Sequence, residues 1–232
     1  LSPPLCFGRR RRFLSHQGGG VYSDQSTVTV RDSLLADNLA YLYGGAAGIA
    51  SGAVTFTNTT FTRNDAIRQG GALSGSADLI DVALLDNIAG TKGGHVYATG
   101  QTTLTRCVVA GGGASEQGAS LYSAGAAIVV SDSHIGGFSA ADSASGAAVF
   151  HIADADAMYP AVFDTTTWAT DDIELTLITT TGGSTVLLRN DAGGLTAADV
   201  AGVALLGCGD AATADFCAPD YCAAASLGID CY

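Results

Sequence analysis

The sequence predicts an all-β fold: a right-handed parallel β-helix of about six to eight coils, closed by a short helical, Cys-rich C-terminal cap. Three observations lead there. A glycine-rich step followed by a large apolar residue returns along the first two thirds of the chain. Between those steps, short runs alternate apolar and polar residues with period two, as half-buried strands do. The 232 residues also hold 31 glycines but only 7% aromatic residues, a mix that suits closely stacked short strands with Gly at the bends.

The glycine step reads Gly18-Gly19-Gly20-Val21-Tyr22, Ala46-Ala47-Gly48-Ile49, Gly70-Gly71-Ala72-Leu73, Gly93-Gly94-His95-Val96-Tyr97, Gly118-Ala119-Ser120-Leu121-Tyr122 and Gly146-Ala147-Ala148-Val149-Phe150. With Val21, Ile49, Leu73, Val96, Leu121 and Val149 taken as equivalent, the spacings are 28, 24, 23, 25 and 28 residues. A sustained period of this length marks a solenoid. A second strand follows each step, with its inward position at Val30, Phe56, Leu79, Leu104 and Val130. A third apolar point comes five residues later, at Leu35, Phe61, Leu84, Val109 and Ile135. Three residues beyond stands Asn38, Asn64 or Asn87, replaced by Gly112 and Phe138 in the next two coils. Three short strands per turn then stack coil on coil, ~4.8 Å apart. The fixed leucine pattern of a leucine-rich repeat is absent, and this much Gly and Thr would not sustain a helical solenoid.

The flanks differ from the repeat. Residues 1–16 carry prolines and the run Arg9-Arg10-Arg11-Arg12, and read as a disordered basic linker. The repeat domain spans 17–190; after Phe150 it loosens into the runs Val162-Phe163-Asp164, Glu174 to Ile178 and Ser184 to Asn190. Residues 191–232 form the cap. Thr196-Ala197-Ala198-Asp199 resembles a helix start with an acid at the third position, and a helix would run to about Leu206. Cys208, Cys217, Cys222 and Cys231 follow, with neither His nor C-x-x-C beside them. That favours disulfides over zinc, with three pairings open, and implies an oxidising compartment: extracellular or cell surface. No apolar run reaches the ~18–20 residues of a membrane helix.

Charge narrows the partners. The chain has 22 acidic and 10 basic residues, a formal net charge of −12, and such a surface repels nucleic acid and anionic lipid. The Asn column (Asn38, Asn64, Asn87) reads as a structural ladder that satisfies turn backbone groups. A polar column at Asp32, Asn58, Asp81, Arg106 and Asp132, with Asp164 as its extension, offers oxygen ligands of the kind Ca2+ takes. The same residues are ordinary turn formers, and Arg106 would neutralise the column. A partial Thr column (Thr29, Thr55, Thr103) is broken by Asp78 and Val129. His16, His95, His134 and His151 fall on different columns, so no metal site and no catalytic residue is assigned.

Gly19-Gly20-Val21-Tyr22, Gly70-Gly71-Ala72-Leu73 and Phe61-Thr62-Arg63-Asn64, with Leu35-Ala36-Asp37-Asn38 and Leu84-Leu85-Asp86-Asn87 as Leu variants, resemble the repeats of the chlamydial polymorphic outer membrane proteins. Over residues 18–150 the chain is similar, more broadly, to the pectin-lyase-like β-helix superfamily. The first resemblance implies surface display and adhesion; the second implies polysaccharide lyase chemistry with Ca2+ held by acids beside a basic residue. The expectation is a non-catalytic extracellular or cell-surface binding, adhesion or structural module of a larger protein, whose partner is carbohydrate or another surface protein. A polysaccharide lyase or glycosidase on the same scaffold is the alternative.

Overall fold

The computed structural model describes residues 15–136, together with the strand backbones Ser139–Ala140, Val149–Ile152, Ala161–Asp164, Thr167–Trp168, Ile178–Thr181, Thr185–Leu188 and Val200–Ala201. It is a parallel β-solenoid of about five turns. The chain enters through β1 (Ser15–Gln17). One full coil follows: β2 (Val21–Ser23), β3 (Ser26–Ala36) and β4 (Leu39–Tyr43). The next opens with β5 (Ala47–Ile49) and β6 (Gly52–Thr62). Like strands stack in parallel into three sheets. Sheet I, of eight strands, contains β2 and β5; sheet II, of eleven, contains β3 and β6; sheet III, of six, contains β1 and β4.

Sheet II is bent, so each coil has four short straight segments where the sequence suggested three strands. The bend falls at Asp32, Asn58, Asp81, Arg106 and Asp132, whose φ values are 48°, 46°, 54°, 52° and 49°. β3 and β6 run through it; in later coils it divides the path into pairs such as Asp78–Ile80 and Ala83–Leu85. A second left-handed corner, between sheets II and III, stands at Asp37, Arg63, Asp86 and Gly111, with φ of 55°, 50°, 52° and 72°. Asp and Asn tolerate this conformation better than most residues.

The core is a set of stacked columns. Val30, Phe56, Leu79, Leu104 and Val130 pair in register, as do Leu35, Phe61, Leu84, Val109 and Ile135. From the second coil onward these side chains are fully buried, each contributing about 1.5–3 kcal/mol. Phe56 and Phe61 meet edge to face at 4.9 Å. Sheet III is lined by Ala40, Ala66, Ala89 and Ala114.

Four sequence expectations need correction. The sheet I partner of Val21 and Leu73 is Ala47, not Ile49, so the second glycine step is Gly44-Gly45-Ala46-Ala47 and the first spacings are 26 and 26 residues (21 to 47, 47 to 73). A methyl side chain at the inward position hides the column from a search for large apolar residues. Asp164 pairs with Ser131, one residue short of the bend, so it does not extend the Asp32 column. Val200–Ala201 pair with Ile178–Thr179 as a further strand of sheet I, where a helix was expected; Val200 continues the Val149–Ile178 column. Finally, β1 begins inside the expected linker. Residues 1–14, Phe138 and the four clustered cysteines lie outside the described residues. Among those described, no helix is long and apolar enough to cross a membrane.

Candidate functional site

The glycine steps are built for stacking. The first glycine of each, Gly18, Gly44, Gly70, Gly93 and Gly118, has φ between 58° and 68°. The second is needed for space: a Cβ on Gly45, Gly71 or Gly94 would sit within 3.0 Å of a carbonyl oxygen in the next coil. These motifs are corners that let coils close up, and they hold no ligand geometry of their own.

The polar columns are tied up internally. Asn64 Oδ1 accepts from Asn38 N at 3.0 Å and Asn38 Nδ2 at 2.9 Å, while Asn64 Nδ2 donates to Leu35 O and Asn87 Oδ1, both at 2.9 Å. Asn87 Oδ1 also accepts from Asn64 N, and Asn87 Nδ2 donates to Phe61 O at 3.1 Å. In the bend column, Asn58 Nδ2 donates to Asp32 Oδ1 at 2.7 Å, and Arg106 grips Asp81 through two bonds of 2.7 and 2.9 Å. The Arg106 hydrogen bond holds the Asp81 carboxyl below its ordinary range. Arg63 grips Asp37 in the same bidentate way. In the Thr column, Thr103 Oγ1 donates to Asp78 Oδ1 at 2.7 Å. No group of three or more potential metal ligands occurs among the described residues.

The Asn ladder ends on a histidine. At the fourth coil Gly112 replaces Asn, and the His95 ring fills the space: a Cβ on Gly112 would lie 2.6 Å from His95 Cδ2. Asn87 Nδ2 lies 3.0 Å from His95 Nδ1. The ladder's direction fixes the tautomer. Because Asn87 Oδ1 accepts from Asn64, its amide nitrogen must donate, so Nδ1 accepts and the proton sits on Nε2. Nε2 has no hydrogen-bond partner within normal geometry, although the Ala110 carbonyl is nearby. Burial is complete and pushes the imidazole pKa down to about 3.

Below the unfolded value of ~6.5 the unfolded chain takes up a proton that the folded chain refuses. Stability from this group is therefore intact above pH ~6.5 and falls by about 1.4 kcal/mol per pH unit toward pH 3. Urea midpoints measured from pH 7 to 4 are expected to show this slope, and His95→Gln to flatten it relative to wild type. Equal slopes would show that His95 does not set the acid sensitivity.

One cluster does not repeat: Tyr43 and Tyr97 are part-exposed and Tyr122, beneath them in the stack, is 3% exposed. Tyr97 and Tyr122 are register partners in sheet I, stacked at 5.2 Å with an interplanar angle of 7°. Tyr43 comes from a different column, the corner line of Tyr43, Gln69, Lys92 and Gln117. Its ring stacks on Tyr97 at 6.5 Å and 21°. Room for this reach comes from Gly48, in the coil of Tyr43, and Ser74, in the one intervening coil. Lys92 Nζ stands 5.0 Å from the Tyr122 ring centre and Arg68 lies in the electrostatic reach of Tyr97. Burial is the main cause that raises both phenols, so they remain neutral donors. Whereas Arg63 and Arg106 are held by carboxylates, Lys92 and Arg68 have no ion-pair partner among the described residues. The stripe is thus an aromatic, amide-lined corner that carries Lys92 and Arg68, with Glu116 acting on Tyr122. No spacing rule finds it, because its rings come from two columns.

Cys107 is a free, buried thiol whose pKa burial pushes up to about 11; it packs as an inward residue. Comparison with protein-family models, curated proteins and solved structures finds no match for this chain.

Proposed function

We propose that the chain is a non-catalytic binding module of the extracellular space or cell surface, and that the part-exposed rings of Tyr43 and Tyr97, backed by the buried Tyr122, are its carbohydrate-binding face. The observation that carries this reading is the stripe itself: three stacked tyrosines flanked by Gln69, Lys92, Gln117 and Arg68. Sugars offer apolar C–H faces and many hydroxyls, and a ligand site needs apolar surface with a few placed donors and acceptors. The stripe supplies both, and it runs along the solenoid axis, the direction of an extended chain. Most of the repeating polar side chains, from the Asn ladder to the Asp81–Arg106 and Asp37–Arg63 pairs, are engaged with one another, which favours this corner for recognition.

The test is a glycan array probed with the intact chain, in parallel with polyuronate incubations with and without Ca2+. The expected result is retention on a restricted set of glycans and no unsaturated product. Unsaturated product would establish the lyase alternative. No retention on any glycan would overturn carbohydrate as the ligand.

A further inference from the structure

His95 stands in the segment that carries part of the tyrosine stripe, Lys92-Gly93-Gly94-His95-Val96-Tyr97. Beside it in the next coil runs Gln117-Gly118-Ala119-Ser120-Leu121-Tyr122. Four backbone bonds join the two: Gly93 N to Gln117 O at 3.1 Å, Gly94 N to Gly118 O at 3.2 Å, and His95 N and Val96 N to Ser120 O at 2.9 and 3.1 Å. Tyr97 stacks on Tyr122 across the same seam. Among the described residues, four buried side-chain atoms lack a hydrogen-bond partner, and three of them belong to these two segments: His95 Nε2, Gln117 Oε1 and Ser120 Oγ. Unsatisfied buried polar groups cost stability where they stand, so this seam is a weak place in the stack of coils.

The ladder cannot adapt to a protonated ring. His95 Nδ1 accepts from Asn87 Nδ2 at 3.0 Å. An imidazolium carries a proton on both nitrogens, so its Nδ1–H would face the Asn87 donor. Turning the Asn87 amide over would aim its donors at Asn64 N and Asn64 Nδ2, which both donate to Asn87 Oδ1. The charge has no counter-ion either. Asp86 and Glu116, the acids on the segments packed around the ring, are exposed, and Lys92 is part-exposed. None of them acts on His95, whose titration is set by burial and the Ala110 carbonyl; Tyr97 and Tyr122 stay neutral. The ring fills its slot against Gly112, so it can take up a proton only by leaving.

We propose that the Lys92–Tyr97 corner is an acid-opened latch: when His95 takes up a proton, the corner swings away from the Gln117–Tyr122 segment and the Tyr97–Tyr122 stack comes apart, while the rest of the solenoid stays folded. The left-handed Gly93, with φ of 63°, and the bend at Thr99-Gly100 give the segment a hinge at each end. The consequence for a ligand rests on the stripe being the binding face: acid then releases what the stripe holds. The opening itself does not depend on that reading.

Amide hydrogen exchange of the intact chain, with no ligand present, tests the latch. A ring released to solvent regains its ordinary pKa of ~6.5. The opening constant of the Gly93–Val96 amides, corrected for the intrinsic exchange rate, is therefore expected to rise about 25-fold from pH 7 to pH 5. It should be insensitive to low urea and exceed that of the β6 amides from Val54 to Phe61 at least ten-fold. His95→Gln keeps an acceptor for Asn87 without a titrating ring, and His95→Ala installs the residue that Ala46 and Ala72 place in this column. In both variants the rise with acid is expected to vanish. A wild-type rise below three-fold, the same rise in the variants, or corner and β6 amides that open together would each overturn the proposal. These outcomes are distinct from failure on the glycan array, which bears on the carbohydrate reading alone.

Discussion

Replacing Gly71 by alanine is expected to lower stability by at least ~3 kcal/mol, the range seen when a packed backbone has to move. The residue shows why the coils can approach. An added Cβ would sit within 3.0 Å of the carbonyl oxygens of both Gly94 and Ile88. Both are backbone atoms, so no side chain can swing away to relieve the contact. One coil would have to lift from the next, and the strand pairs on either side of the corner would open with it. The exposed Thr29 is the control: Thr29→Ala should stay within ~0.5 kcal/mol, as surface substitutions do. Urea midpoints of the two variants check the contrast. A Gly71→Ala midpoint close to that of Thr29→Ala would mean that the corner relaxes freely.

Asn64→Ala is expected to cost about 3–5 kcal/mol. The side chain is 1% exposed and makes four hydrogen bonds across three coils, to Leu35 O, Asn38 N, Asn38 Nδ2 and Asn87 Oδ1. Removing it leaves buried donors and an acceptor without partners, at about 1–3 kcal/mol for each group that no water reaches. Asn38 donates to Asn64 from one end of the ladder and is only half-buried, so Asn38→Ala should cost about 1–2 kcal/mol. Thermal or urea unfolding of both variants reads the order. Equal losses would show that the ladder does not act as a chain.

Much of the fold was legible in the sequence because columns of large residues repeat. Phe61, Leu84 and Val109 announce themselves by size, and the Asn ladder by identity. Ala47 does not, since a methyl group stands at the inward position of sheet I between Val21 and Leu73. The Asp37–Arg63–Asp86 corner was also missed. It is selected for a left-handed backbone, which Asp, Gly and even Arg can supply, so no residue type recurs. Its position immediately before each Asn was the available signal. His95 was visible only as a stray histidine; its meaning depends on the absent side chain at Gly112. The tyrosine stripe was least legible of all, because Tyr43 belongs to a corner column and Tyr97 to a sheet, and only the stacked coils bring them together.

In the proposed division of labour, repeating columns hold the solenoid and the non-repeating stripe binds. A titration of one array-retained glycan against the wild type, Tyr97→Ala and Lys92→Ala, with Thr29→Ala as control, probes that division at its weakest point. Binding at least ten-fold weaker is expected for the Tyr97 and Lys92 variants, with the control unchanged and all four chains folded. Wild-type affinity in both stripe variants would contradict the assignment and move recognition to another face.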